Sequence, residues 1–477
     1  MQSHSDHGGV DEGDAQVCRW SELLSWLESH GMDLSPSAFH VERRPRPDAD
    51  YGLFLTSPCP SLDSLFVVPS SALVNVKTLA PLYPGGKHLS AHQLISLHLC
   101  LHKPPSDTKE STDNLFGPFI SILPREFDSH PLTWLVHKNL GYENELKSTF
   151  LALLPCSTRS ALDVMAERFT RDLCAVTKYL INFVQYASGR PGELNTRNYL
   201  WAWLNVNTRC IYYRIKEKRT DEANVTLCPI LDFANHNWHR SHIQPVSDSE
   251  IWNTRSKVKD AFQFLTTEHI TEVEVDGEVY LRYGAHSNQS LFVEYGFVNV
   301  VSNEDMESGT YPAEVDVQPI VVGLFNGRGN IGTWMQTILE NEGYWGDWTL
   351  STSPNPAAPS FRLITALRLF AIGSEMTCVP TVDEEDVVCK PWRDTLLGIT
   401  DTTSPDNEAK WRTTLATICN LVVEEGTTGL QRTLSSRFDE QNHSWSSWIR
   451  NNIAFLWSEQ IVVAGAVLQS LEDGIEF

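Results

Sequence analysis

The sequence predicts an α+β fold, with β-rich pieces on either side of a helical insert and a mostly helical C-terminal domain after them. Three observations carry this prediction: short β-prone runs broken by Pro and Ser between residues 51 and 74, apolar residues at helical spacing from about 90 to 195, and short strand-like runs returning after residue 210. With 477 residues the chain can bury more than one substantial core, and 41% hydrophobic with 10% aromatic residues is the composition of a folded globular protein.

In VCRWSELLSWLESH (17–30), Trp20, Leu23, Leu24 and Leu27 share a helical face, and Gly31 ends the run. YGLFLTSPCPSLDSLFVVPSSALV (51–74) alternates β-prone runs with turns and predicts a small antiparallel unit. Leu94, Leu97 and Leu101 then mark one helix face, and Leu162, Met165, Phe169, Leu173, Val176, Leu180 and Phe183 mark a longer one. NYLWAWLNVNTRCIYY (198–213) reads as a buried helix running into strands. ITEVEVDGEVYLRYG (270–284) reads as a hairpin turning at Asp276-Gly277, with Val273 and Val275 on one side and the acids on the other. QPIVVGLF (318–325) looks like a strand, PNPAAP (354–359) and PTVDEEDVV (380–388) read as loops, and the rest is helical. No internal repeat is evident.

The N-terminus, MQSHSDHGGVDEGD, has neither the basic nor the apolar region of a signal peptide. The apolar run Ile461–Leu468 is too short to cross a bilayer. The expectation is an intracellular protein, cytoplasmic and/or nuclear, that does not engage membranes. Its ten cysteines are scattered without any CxxC, which excludes a zinc ribbon or dithiol of the usual spacing. With 37 basic against 60 acidic residues, the formal charge of −23 argues against nucleic acid and favours a basic protein partner.

Several motifs suggest chemistry. GRGNIG (327–332) has the glycine spacing of a dinucleotide-binding turn, but the strand and acid such a unit needs about twenty residues on are missing from GYWGDWTLSTSPNPAAPS, so it reads as an ordinary turn. His98 and His102 lie one helical turn apart, without the glutamate of HExxH or an evident third ligand, and read as polar helix positions. LDFANHNWHRSH (231–242) offers His236, His239 and His242 as metal ligands beside Asp232, yet Pro229 and the Asn-His-Asn run argue against the helix their spacing requires. YGAHSNQSLFVEYGFV (283–298) sets Tyr283 and Tyr295 around a Ser-Asn pair.

Taken together these segments resemble SET-domain protein-lysine methyltransferases of the Rubisco large-subunit methyltransferase-like subfamily. The resemblance lies in Asp232-x-x-Asn235-His236, in Tyr283-Gly284-x-x-Ser287-Asn288 and Tyr295-Gly296-Phe297-Val298, and upstream in Tyr51-Gly52-Leu53-Phe54, FVVPSSALV and WAWLNVNTRC. FGPFISILPREFDSHPLTW resembles the insert that splits the SET domain in this subfamily. It implies a SET domain over 17–300 with its insert at about 90–195, and a helical substrate-binding domain over 305–477.

The resemblance further implies S-adenosylmethionine as cofactor and no metal. Asn235 and His236 would hold the cofactor, Thr208 would stand near its amino acid end, and Tyr51 would contribute a backbone contact. Asp232 would support the loop and Phe297 would pack on the adenine. Tyr283 would be the catalytic tyrosine, and Tyr295 would line the target-lysine channel. The sequence departs from the subfamily where a glutamate is common, two residues before Tyr51; Ala49 stands there, with Asp50 next to it. The implied function is methylation of a lysine in a non-histone protein, in the ribosomal or translation machinery by analogy, by a monomeric enzyme. A protein-histidine methyltransferase of the same fold and a catalytically silent scaffold stay open as alternatives.

Overall fold

The structure, a computed structural model, describes all residues except 1–11, 47–50, 107, 143, 185–193, 219, 247–260 and 437–444. Its contacts divide the chain into two compact units: Met1–Asp128 with Glu167–Ala285, and Ser129–Ala166 with His286–Phe477.

The first unit opens with the helix Glu12–Ser29. Leu23 and Leu27 are fully buried, and Gly31 closes the helix in the left-handed conformation. Strands β1 (Val41–Pro45) and β2 (Tyr51–Leu55) pair antiparallel, and β3 (Ser64–Pro69) follows. After β4 (Ile211–Tyr212) and β5 (Val225–Thr226), which form a two-stranded ladder, come β6 (Ile243–Pro245), β7 (Ala261–Thr266) and β8 (Glu278–Val279). The strands assemble in the orders β1-β2-β8 and β3-β7-β6. The run over 51–74 therefore supplies β2 and β3 to different sheets instead of pairing with itself.

On the sheet β3-β7-β6, alternation buries Phe262 and Phe264, and the ring of Phe66 meets that of Phe264 at 4.8 Å. The helix Ala91–Leu101 has a capping box formed by Ser90 and Gln93 and packs against the helix Thr196–Arg209. Leu94 and Leu97 are buried, whereas Leu101, at the helix end, is exposed. The predicted hairpin at 270–284 takes a different form. Glu268–Glu272 is a 3₁₀ turn, Asp276 has φ 71°, and only Glu278–Val279 is a strand, paired to β2. Its valines did not decide the outcome; pairing with a distant strand did.

The second unit is largely helical, with a small sheet of β9 (Glu314–Asp316), β10 (Thr349–Ser351) and β11 (Ala358–Pro359) in the order β11-β10-β9. QPIVVGLF is not a strand but the helix Gln318–Asn326, with Pro319 in its first turn. A short apolar run does not distinguish a strand from a buried helix. GRGNIG is thus a helix–helix corner leading into the helix Asn330–Asn341. A Cβ on Gly332 would lie 1.9 Å from the Phe325 carbonyl oxygen, so the close approach of the two helices requires glycine there. The stretch 380–388 is also mostly helical, within Val382–Leu396; Thr381 and Glu384 form a capping box and Asp383 to Glu385 load the first turn with acids.

Two long helices, Pro405–Ser435 and Ser446–Glu472, pack together in this unit. A Cβ on Gly429 would meet the Trp457 ring at 2.3 Å, so the indole sits directly on the facing backbone. Ser446–Glu472 is, among the described residues, the one helix long and apolar enough to cross a membrane. Half of its most apolar window is buried in the structure, and it carries buried Asn452 and Glu459, as a core helix does.

Candidate active site

The segment after β5 turns through a 3₁₀ helix, Leu231–Phe233, and then runs beside the chain following β8. His236 and Leu281 form an isolated parallel bridge. The Leu281 N–H donates to the Asn235 carbonyl at 2.9 Å, and the Asn237 N–H donates to the Leu281 carbonyl at 3.1 Å. This crossing puts Asn235, His236 and Tyr283 side by side, although 47 residues separate His236 from Tyr283.

Tyr283 is fixed at both ends. Its N–H donates to His236 Nδ1 at 3.1 Å, and its hydroxyl donates to the Ala234 carbonyl at 2.9 Å. The two rings meet at 5.1 Å. Asn235 is held as firmly: its Nδ2 donates to the Tyr51 carbonyl at 3.0 Å and to Glu278 Oε1 at 2.8 Å. Both amide hydrogens are thereby used, which settles the orientation of the amide and leaves Oδ1 as its open acceptor.

Glu278 is a node that sequence reading missed. It also pairs with Arg46 Nε at 2.9 Å and accepts from the Tyr280 hydroxyl at 2.8 Å. Burial and this carboxylate push the Tyr280 phenol up to about 12. A Cβ on Gly52 would lie 2.4 Å from Glu278 Oε1, so the glycine after Tyr51 makes room for the carboxylate. The signal was an acid on a strand whose partner, β2, lies far away in sequence.

Asp232 lies in the 3₁₀ turn with its side chain fully buried. Burial pushes its carboxyl up to about 6, while the Arg209 and Arg43 charges pull the other way. Arg209 Nη1 donates to the Asp232 carbonyl at 2.7 Å and lies 3.5 Å from its Oδ2. Asp232 Oδ1 and Arg209 Nε are buried without a hydrogen-bond partner. Arg43 is the second cation here, stacked 3.7 Å from the centre of the Tyr51 ring, and burial lowers its pKa. Neither arginine was singled out from sequence. Thr208, next to Arg209 near the end of the helix Thr196–Arg209, turns its hydroxyl back to the Leu204 carbonyl at 2.8 Å, which leaves only its lone pairs outward.

The structure thus brings Tyr51, Asp232, Asn235, His236 and Tyr283 together in the first unit. Tyr295 and Phe297 belong to the second, with rings 6.2 Å apart. Tyr295 ends the helix Asn288–Tyr295, and Gly296, at φ 86°, caps it by donating to the Leu291 and Phe292 carbonyls. Burial, then the Glu294 charge, raise the Tyr295 phenol above its ordinary value. In the Ser-Asn pair, Ser287 caps this helix while Asn288 Nδ2 donates to buried Glu459 at 2.8 Å. Ala49 and Asp50, where the sequence departs from the subfamily, lie outside the described residues. His239 and His242 do not share a metal cluster with His236: among the described residues the one group spaced as metal ligands is His98, His102 and Asp113.

No protein-family model matches the chain. It is similar to ribosomal lysine N-methyltransferase set11 of Schizosaccharomyces pombe, with 25% identity over 349 residues, 73% of this chain and 74% of that protein. It is also similar to SET domain-containing protein 4 of Homo sapiens, with 24% identity over 488 residues, 98% of this chain and 94% of that protein. Among solved structures it resembles the SET domain of LSMT bound to lysine and AdoHcy, with a TM-score of 0.60 and 15% identity, covering 96% of this chain and 91% of that one. Rubisco LSMT bound to AdoMet gives a TM-score of 0.59 at 15% identity, covering 96% and 92%. In its motifs, its relatives and its fold, this chain resembles SET-domain proteins of the Rubisco large-subunit methyltransferase-like subfamily.

Proposed function

We propose that this protein transfers a methyl group from S-adenosylmethionine to a lysine side chain of a non-histone protein. The observation that carries the reading is the crossing of residues 235–237 with Leu281, which fixes the Tyr283 hydroxyl on the Ala234 carbonyl beside an oriented Asn235. Relatives named as ribosomal lysine N-methyltransferases support it, as does the likeness to structures bound to AdoMet and to lysine.

The residues present fit the cofactor. Its amino acid end is a zwitterion; Asn235 Oδ1 is an open acceptor for an ammonium group, and Arg209 Nε is a buried donor without a protein partner. Asn235 and His236 would hold it, with Tyr51 and Thr208 at the edge. When bound, the cofactor supplies a methyl carbon already activated by a sulfonium, so what remains for the protein is positioning.

Tyr283 does that positioning as a neutral phenol. Because its proton is held by the Ala234 carbonyl, the oxygen presents lone pairs and accepts from the lysine amine. The amine must be neutral to attack, and removing its proton at pH 7 costs about 4.6 kcal/mol from a free pKa near 10.4. Apolar surroundings would lower that cost by disfavouring the charged form. Deprotonation before docking makes a dedicated base unnecessary.

By the same reading, residues 305–477 form the substrate-binding domain of a SET domain spanning 17–300. The excess of acids suits a basic substrate from the ribosomal or translation machinery, met by a monomer in the cytoplasm or nucleus. Calorimetric titration of the purified protein with S-adenosylhomocysteine tests the reading. Stoichiometric binding is expected, and the absence of any binding would end it.

A further inference from the structure

We propose that His98, His102 and Asp113 form a metal site suited to zinc(II), clipping the loop after the helix Ala91–Leu101 onto the end of that helix. The two histidines lie one turn apart, with the His102 N–H donating to the His98 carbonyl at 3.1 Å. Asp113 arrives from the following loop, and its ligand atom lies with theirs inside a 4.8 Å cluster. His98 Nε2 is 3.5 Å from Asp113 Oδ2, and His102 Nδ1 is 3.7 Å from Asp113 Oδ1.

These separations decide between a hydrogen-bonded cluster and a ligand set. They exceed the roughly 2.7–3.2 Å of an N–H···O bond, so the carboxylate faces both imidazoles without bonding well to either. Zinc with bonds of about 2.0–2.1 Å in tetrahedral geometry holds its ligand atoms about 3.4 Å apart. Here the two Asp113 oxygens lie 3.5 and 3.7 Å from the imidazole nitrogens, and one ligand atom from each residue falls within 4.8 Å of the others, so a small closing of the cluster suits the ion. His98 Nε2 is buried and makes no hydrogen bond, although a buried imidazole nitrogen ordinarily has a partner.

The surroundings hold these groups in the required orientation. The Tyr83 hydroxyl lies 2.8 Å from His98 Nδ1 and turns Nε2 toward Asp113, as an outer partner does for a metal-bound histidine. The Phe116 N–H donates to Asp113 Oδ2 at 2.6 Å, and Ser111 Oγ donates to the His102 carbonyl at 2.7 Å. Two imidazoles with one carboxylate make a donor set that zinc favours, and His102 is one-third exposed, so water can complete the shell. The donors equally accept cobalt(II), which makes a visible probe. The site is independent of the methyltransferase reading.

The test uses the full chain, stripped with a chelator and titrated separately with zinc chloride and cobalt chloride. One equivalent is expected to bind with micromolar or tighter affinity, to raise the unfolding temperature, and to give cobalt the strong visible bands of a tetrahedral site. His102→Gln and Asp113→Asn, at partly exposed positions, should each weaken binding by about tenfold or more and remove the bands. The metal-free unfolding temperature of these variants reports that they still fold. If no equivalent binds, or if both variants bind as the parent does because other histidines such as His4 and His7 hold the ion, the proposal is overturned.

Discussion

Glu278 Oε1 accepts a hydrogen bond from Asn235 Nδ2 at 2.8 Å, and through it strand β8 fixes which way the asparagine amide faces. With the Tyr51 carbonyl taking the other amide hydrogen, the Asn235 oxygen is left as the open acceptor. Glu278→Ala removes one of the two anchors and strands the Arg46 charge. Cofactor affinity is expected to fall by about tenfold or more, measured by calorimetry with S-adenosylhomocysteine. Affinity equal to the parent's would show that the amide orientation does not depend on Glu278.

Tyr283→Phe deletes the hydroxyl and its bond to the Ala234 carbonyl but keeps the ring against His236. Methyl transfer is expected to drop by about 100-fold, the scale seen when one positioned polar group is removed from a reacting centre. Cofactor binding should change little. A variant that turns over at the parent rate would take the tyrosine out of the chemistry.

Buried Glu459 gives stability a predicted pH dependence. Burial pushes its carboxyl up to about 8 from 4.5; the Asn288 hydrogen bond opposes this and Glu314 adds a smaller push upward. Between those two values the folded chain holds a proton that the unfolded chain has released, so stability from this group is complete below 4.5 and is lost as pH rises through 8. Glu459→Gln should therefore unfold at a higher temperature than the parent near pH 9, roughly, with the difference shrinking toward pH 5. Thermal unfolding across that range reads it, and parallel curves for the two proteins would refute the assignment.

Gly332→Ala should destabilise the second unit by about 1–3 kcal/mol, because its Cβ would overlap the Phe325 carbonyl at the helix corner. Denaturant unfolding measures the shift. A neutral substitution would mean that the corner opens without cost.

How much of this was legible depends on how local the cause is. The helix Glu12–Ser29 and the helix Thr196–Arg209 follow from apolar spacing and a stop or cap within the same stretch. QPIVVGLF and ITEVEVDG were misread because a short apolar or alternating run takes its form from distant partners. The motif residues Asn235, His236 and Tyr283 were legible as an ordered set and do lie together. Glu278, Arg209 and Arg43 were not, since each acts through a neighbour remote in sequence: Glu278 on Asn235, Arg209 on Asp232, Arg43 on Tyr51. For the same reason, the third partner of His98 and His102 appeared only once the loop carrying Asp113 was folded.

The central claim is methyl transfer to lysine, and one measurement tests it most directly. A lysate from cells lacking this protein is incubated with purified protein and methyl-labelled S-adenosylmethionine, and the labelled residue is mapped by mass spectrometry. The account predicts label on a lysine side-chain nitrogen of a non-histone protein, present with the parent and nearly absent with Tyr283→Phe. Label on histidine, or no label from a protein that binds the cofactor, would contradict it.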